Sequence, residues 1–239
     1  DAINTGVRNV ALGYGALSAE VKGNKTVAVG HNALSAQSNS GSVDAFNVAV
    51  GHDAGGVLTT GTENTLIGGL AGDAITTGDN NVAVGYQSLS ADTLGERNAA
   101  LGAFALANQN FTSSTQSYNT AVGYGAGISI TTGVSNTLLG GLAGDAITDA
   151  DANVAIGTSA LSTNTVGSRS IAVGANALFR QNPSTATDMH NIAIGHNTGE
   201  FISTGVRNIL MGGLTGDALT TGRDNVAIGH LALSSETAS

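Results

Sequence analysis

A short phrase recurs along this chain. An amide or hydroxyl residue is followed by three small or apolar positions and then glycine, as in Asn81-Val82-Ala83-Val84-Gly85. Positions two and four are mostly aliphatic, as at Val82 and Val84, and they alternate with a third position that is always alanine or leucine. A period of two over so few residues predicts a short β-strand with positions two and four on one face and position three on the other. Positions two and four are assigned to the interior, so position three faces outward. The closing glycines are Gly13, Gly30, Gly51, Gly68, Gly85, Gly102, Gly123, Gly140, Gly157, Gly174, Gly195, Gly212 and Gly229. Most steps are 17 residues and every fourth is 21, making a 72-residue super-repeat that returns Asp1-Ala2-Ile3 at Asp73-Ala74-Ile75 and Asp145-Ala146-Ile147. So short a period predicts stacked coils, each buried against its neighbours.

A second short segment follows each glycine, as at Ala16-Leu17 and Ala71-Gly72, and Thr-Gly corners such as Thr60-Gly61 and Thr77-Gly78 close many coils. Two strands and two corners per coil describe an all-β parallel β-solenoid, a flattened β-roll. Its 13 coils form a single repeat domain over residues 1–239, in a rod of roughly 60 Å. The invariant glycine reads as a turn requiring positive φ or close backbone approach. The recurring Asn, replaced only at Thr26 and Ser170, reads as a ladder of side-chain amides along the stack.

The outward assignment of position three carries a functional expectation. The position reads Ala11, Ala28, Ala49, Leu66, Ala83, Ala100, Ala121, Leu138, Ala155, Ala172, Ala193, Leu210 and Ala227. A strand facing water would place Thr, Lys or Glu there. An uninterrupted apolar strip exceeds what monomers usually expose, so these residues are expected at an interface between copies of the chain. The evenly spaced leucines would mark an axis where chains meet. The opposite orientation, with positions two and four at the interface, stays open. In both cases the strand is apolar on two faces and covered on both.

Composition narrows the classes. The net charge is −9, and the only lysines are Lys22 and Lys25. A phosphate-binding stripe is therefore missing, and no nucleic-acid partner is expected. No apolar run approaches the ~18 residues of a span, so no membrane insertion by this segment is expected. Cysteine is absent, which removes disulfides and thiolate chemistry. Carboxylates such as Glu63, Asp79, Glu96, Asp151 and Asp224 are scattered at corners without a distinctive pair. No catalytic residue and no cofactor are expected, and the chain reads as a non-enzyme.

Thirteen in-phase copies of a phrase patterned on Asn-Val-Ala-Val-Gly, followed by a small residue and then by glycine or leucine, resemble the head repeats of trimeric autotransporter adhesins and similar repeats of phage tail fibres. The resemblance implies a left-handed parallel β-roll, packed side by side as a homotrimer in an extracellular adhesive fibre on a bacterial cell surface or virion. The family coil is shorter, and its neck, coiled-coil stalk and membrane anchor have no counterpart here. Alternative readings are a tail-fibre shaft or receptor-binding segment, a self-assembling extracellular filament, and an ice-binding solenoid with threonine ladders at Thr59-Thr60 and Thr76-Thr77.

The four extra residues of each long step fall within 35–46, 107–118 and 179–190. A constant scaffold with variable loops in register suits ligand binding. Gln37, Asn39, Phe46, Gln109, Phe111, Tyr118, Phe179, Gln181 and His190 are the candidate ligand residues, of a kind suited to a host-surface glycan or protein. The residue after the invariant glycine is often aromatic or His. His31 and His52 fall on adjacent coils, but no third ligand is evident, so no metal site is expected. Asp73, Asp145 and Asp217 lie four coils apart, ~19 Å, too far to share calcium. Asp1 enters in mid-coil and Ser239 leaves just after a leucine corner. A longer fibre or head-to-tail stacking is expected from such open ends.

Overall fold

A computed structural model describes residues 5–235. Among them the chain is all-β with no helix and stacks as a parallel β-solenoid of about 13 coils. Asp1 and Ser239, on which the expectation of open ends rests, lie outside the described residues. The chain forms two units, Asp1–Tyr118 and Asn119–Ser239.

In the first unit the recurring phrase forms Val10–Leu12, Val27–Val29, Val48–Val50, Thr65–Ile67, Val82–Val84 and Ala99–Leu101. In the second it forms Thr120–Val122, Thr137–Leu139, Val154–Ile156, Ile171–Val173, Ile192–Ile194, Ile209–Met211 and Val226–Ile228. Within each unit consecutive strands pair in parallel with like positions opposed, as in Thr65↔Val82, Leu66↔Ala83 and Ile67↔Val84. The long steps do not disturb this register. Val27 pairs with Val48 and Ile171 with Ile192, and the extra residues add local pairs such as Gly95–Glu96 against Thr115–Gln116.

Each coil carries one main strand instead of the expected two. The segment after the glycine is a run of turns, because two of its residues are left-handed: Gln87 and Leu89, for example, both have φ of 52°. An extended strand cannot contain them. A third left-handed residue precedes the first position of each phrase, as at Lys25, Glu63 and Arg97.

The glycine reading holds in both its parts. Gly85 has φ of 138°, and a Cβ there would lie 2.6 Å from the carbonyl carbon of Gly102 in the next coil. The Asn makes a clamp. Asn81 Nδ2 donates to Gly95 O at 2.9 Å, closing its own coil. Asn81 Oδ1 accepts from the Asn98 N–H at 3.0 Å, tying it to the next. These side chains are fully buried, so every polar atom in the clamp must be satisfied, and replacing the amide would strand backbone groups.

The face assignment is corrected. Position three points into the coil: Ala28, Ala49, Leu66, Ala83, Ala100, Ala121, Leu138, Ala155, Ala172, Ala193 and Leu210 are all 0% exposed within the single chain. Ala227 is buried too, and only Ala11, in the first described strand, is exposed. The reason is volume. A coil this narrow admits alanine on the strand, and a larger side chain fits only where the opposite wall recedes. The wall alternates. Coils with leucine at the corner, such as Leu34 and Leu89, carry a buried polar residue three positions on, here Gln37 and Asp92. Coils with Gly55 or Gly72 at that corner carry Leu58 or Ile75 instead. Leu66 occupies the space the glycines leave, since a Cβ on Gly55 or Gly72 would come within 2.7 Å of a Leu66 methyl. Leu138 relates in the same way to Gly144, at 2.8 Å. The three leucines are thus interior plugs and mark no axis between chains.

Candidate functional site

Inverting the strand turns positions two and four outward. Val82, Ile67 and Leu101 are 36%, 38% and 40% exposed in the first unit. Ile171, Ile209, Leu139 and Met211 are similarly exposed in the second. Val, Ile, Leu, Met, Ala and Thr fill these two positions throughout, and no charged residue interrupts them. An apolar surface with the regular ~4.8 Å repeat of stacked strands therefore faces away from the coil in each unit. The apolar strip foreseen in the sequence is present, carried by the opposite face of the strand.

The inserted residues divide between interior and surface. Gln37, Gln109 and Gln181 are fully buried, and Asn39 and Phe111 nearly so, which removes them as direct ligand contacts. Gln37 and Gln181 serve as repair. Thr26 and Ser170 lack the amide that would extend the Asn ladder into a long coil. Gln37 bridges the first gap: its Nε2 donates to Thr26 Oγ1 at 3.1 Å, and its Oε1 accepts from Asn47 Nδ2 at 2.9 Å. Gln181 does the same between Ser170 and Asn191. Phe179 is half-buried. Phe46, Tyr118 and His190 remain exposed at matching corners, with φ of 49°, 50° and 51°. Lys25 lies over the Phe46 ring at 4.7 Å, and Arg97 donates to the Tyr118 hydroxyl at 3.2 Å. The Phe46 and Tyr118 corners present aromatic faces beside cations.

Glu20 and Asp92 stand three positions after corner leucines, like the three glutamines, and were missed in the sequence. The Glu20 carboxylate accepts from the N–H groups of Val21, Lys22, Gly23 and Asn39 and from the side chains of Gln37 and Asn39, at 2.6–3.2 Å. Burial by itself raises its pKa, but the bonds from Gln37, Gly23 and Asn39 together hold it below the ordinary glutamate value. Asp92 holds the matching place with fewer donors, among them Gln109, Gly95 and Phe111. Burial dominates there and raises the carboxyl.

The residues after the invariant glycine form a column. The Tyr14 and His31 rings stack at 5.5 Å, and His31 and His52 at 5.0 Å with planes 6° apart. Asp53 stands beside both histidines, and beyond it opens a cleft of about 260 Å³ lined by Asn32, Ser35, Asp53, Gly56, Val57, Leu70 and Asp73. Asp73 Oδ1 is buried there without a hydrogen-bond partner. Desolvation, and secondarily the Asp53 charge, raise the Asp73 carboxyl. The threonine ladders are directed inward to the stack: Thr59 Oγ1 donates to Thr76 O at 3.0 Å, and Thr76 Oγ1 to Thr93 O at 3.0 Å. No helix among the described residues is long and apolar enough to cross a membrane.

Comparison with models of known protein families, with curated proteins and with solved structures finds no match for this chain.

Proposed function

We propose that this chain is a structural and adhesive segment of an extracellular fibre, on a bacterial surface or a virion, acting as a homo-oligomer without catalysis. The observation that carries the proposal is the uncharged outward face of positions two and four. Such a face is costly to leave in water, and contiguous exposed apolar patches usually mark interfaces. Its occupant is a second copy of the chain. A ridge pattern that repeats with every coil is matched along its length by a surface with the same spacing, which a sister solenoid supplies. The adhesin-head resemblance favours three chains side by side, left-handed rolls built on the 72-residue super-repeat. The exposed corners at Phe46, Tyr118 and His190 are the proposed contacts to a host-surface glycan or protein, since aromatic faces beside polar groups suit sugar rings.

Light scattering on the purified chain tests this reading. The wild type is expected near three times the 23.5 kDa chain mass. Ile67→Glu combined with Leu101→Glu should give a monomer whose circular dichroism is unchanged. A monomeric wild type at micromolar concentration would overturn the proposal. The same substitution at Ala83, inside the coil, should instead prevent folding.

A further inference from the structure

We propose that His31, His52 and Asp53 form a binding site for a borderline divalent transition metal, zinc or nickel in class, on the corner of the second and third coils. The inference is independent of the fibre reading. It rests on convergence imposed by the stack. His31 and His52 each follow an invariant glycine, and the coil-to-coil ladder places such residues directly above one another. The backbone holds them there: the Asp53 N–H donates to His31 O at 2.9 Å, and the Leu70 N–H to His52 O at 2.9 Å. Asp53 is the neighbour of His52 in sequence, and its left-handed backbone, φ 52°, turns the carboxylate back toward both rings. One oxygen lies 3.1 Å from His52 Nδ1 and the other 3.8 Å from His31 Nδ1. One ligand atom from each residue falls within 4.8 Å of the others.

Two imidazoles and one carboxylate suit Zn²⁺ or Ni²⁺ and poorly suit Ca²⁺ or Mg²⁺, which take oxygen ligands. Around an ion with bonds of ~2.1 Å, ligand atoms sit roughly 3.4 Å apart in tetrahedral geometry. To close on one ion the ligand atoms must draw together and the two parallel rings must turn their nitrogen lone pairs toward a common point, and all three side chains are at least partly exposed and free to do so. The corner is open to solvent, so water completes the coordination shell and a group from outside the chain can replace it. Elsewhere among the described residues no comparable group of three occurs. In the second unit Gly213 separates His196 from His230 among the residues that follow the invariant glycines.

Isothermal titration calorimetry of the full chain with Zn²⁺ and with Ni²⁺, each as the metal alone, tests the site. One ion per chain is expected. Histidine ring NMR signals of His31 and His52 should shift on titration while His230 stays in place. His52→Gln and Asp53→Asn, the latter chosen because asparagine tolerates the left-handed backbone, should each weaken binding roughly tenfold or more. His230→Gln should leave it unchanged, and millimolar Ca²⁺ should not compete. Absence of uptake at 100-fold excess metal would overturn the site. So would uptake undiminished by His52→Gln and Asp53→Asn in chains whose circular dichroism matches the wild type.

Discussion

At the scale of single residues, this fold is a set of backbone conformations that few side chains tolerate, repeated coil by coil. Gly85 combines φ of 138° with a wall 2.6 Å from where a Cβ would sit. Gly85→Ala is therefore expected to cost about 2 kcal/mol or more, well beyond the usual glycine-to-alanine change. Urea unfolding of the variant checks it. Leu34 and Leu89 also sit in left-handed geometry, at φ of 50° and 52°. Strain of roughly 1–3 kcal/mol at such a site is tolerated because the side chain is fully buried in compensation. Glu20 and Asp92 occupy matching corners with opposite electrostatics. Because the folded pKa of Glu20 is depressed, the stability it contributes is present above the ordinary carboxylate range and is lost as pH falls through the lower, folded value. Asp92 has a raised folded pKa, so its contribution is present in acid and lost as pH rises from the ordinary carboxylate range through the folded value. At neutral pH, Glu20→Gln should cost ~2 kcal/mol by leaving charge-assisted bonds unmade. Asp92→Asn, which installs the residue found at the matching Asn164, should be nearly neutral there and should flatten the pH profile. Thermal melts between pH 3 and 8 separate the two.

The element that matters is the coil, and it exists in two interior packings. Leucine at the corner goes with alanine on the strand and a polar anchor, as in Ala83, Leu89 and Asp92. Glycine at the corner goes with an aliphatic anchor, as in Gly72 and Ile75, and in alternate cases with leucine on the strand, as at Leu66. Each combination fills the interior without a clash, and interiors punish excess and deficit alike. Gly72→Leu alone should destabilise by about 3 kcal/mol, through collision with Leu66 and Ile75. Adding Leu66→Ala should recover part of that loss by removing one of the two collisions, while Ile75 stays where the leucine-corner coils carry a polar residue such as Asp92. A double-mutant cycle in urea measures the coupling. Additive losses would show that the two residues do not share one space.

At the scale of the whole molecule, the outward face decides behaviour. Burying position three leaves the bulkier aliphatic residues facing out along each unit, and the association of copies proposed above would cover them. The dissociation expected of Ile67→Glu with Leu101→Glu, and the metal uptake expected at His31, His52 and Asp53, probe separate surfaces. One can fail without the other. Ion pairs between adjacent coils, such as Lys25 with Asp44 at 2.6 Å and Arg207 with Asp224 at 2.5 Å, are exposed and screened by salt, so the stack rests mainly on its clamps and interior.

Periodicity alone determined the stacked parallel coils, the strand of each phrase and the need for glycine at its end. These follow from local spacing, which a sequence displays directly. It also determined that both faces of the strand are apolar. Which face is inside was decided by the width of the coil, a property of how the chain closes on itself. Alternation is symmetric, and Ala83 and Val82 are both apolar, so the pattern could not choose. Gln37 read as a loop ligand for the same reason: its burial depends on Thr26 and Asn47, which the fold brings to it from neighbouring coils. Asp53 was invisible as a partner of His31 because their meeting needs a left-handed turn that no residue type announces. Only the closed coil brings these groups together.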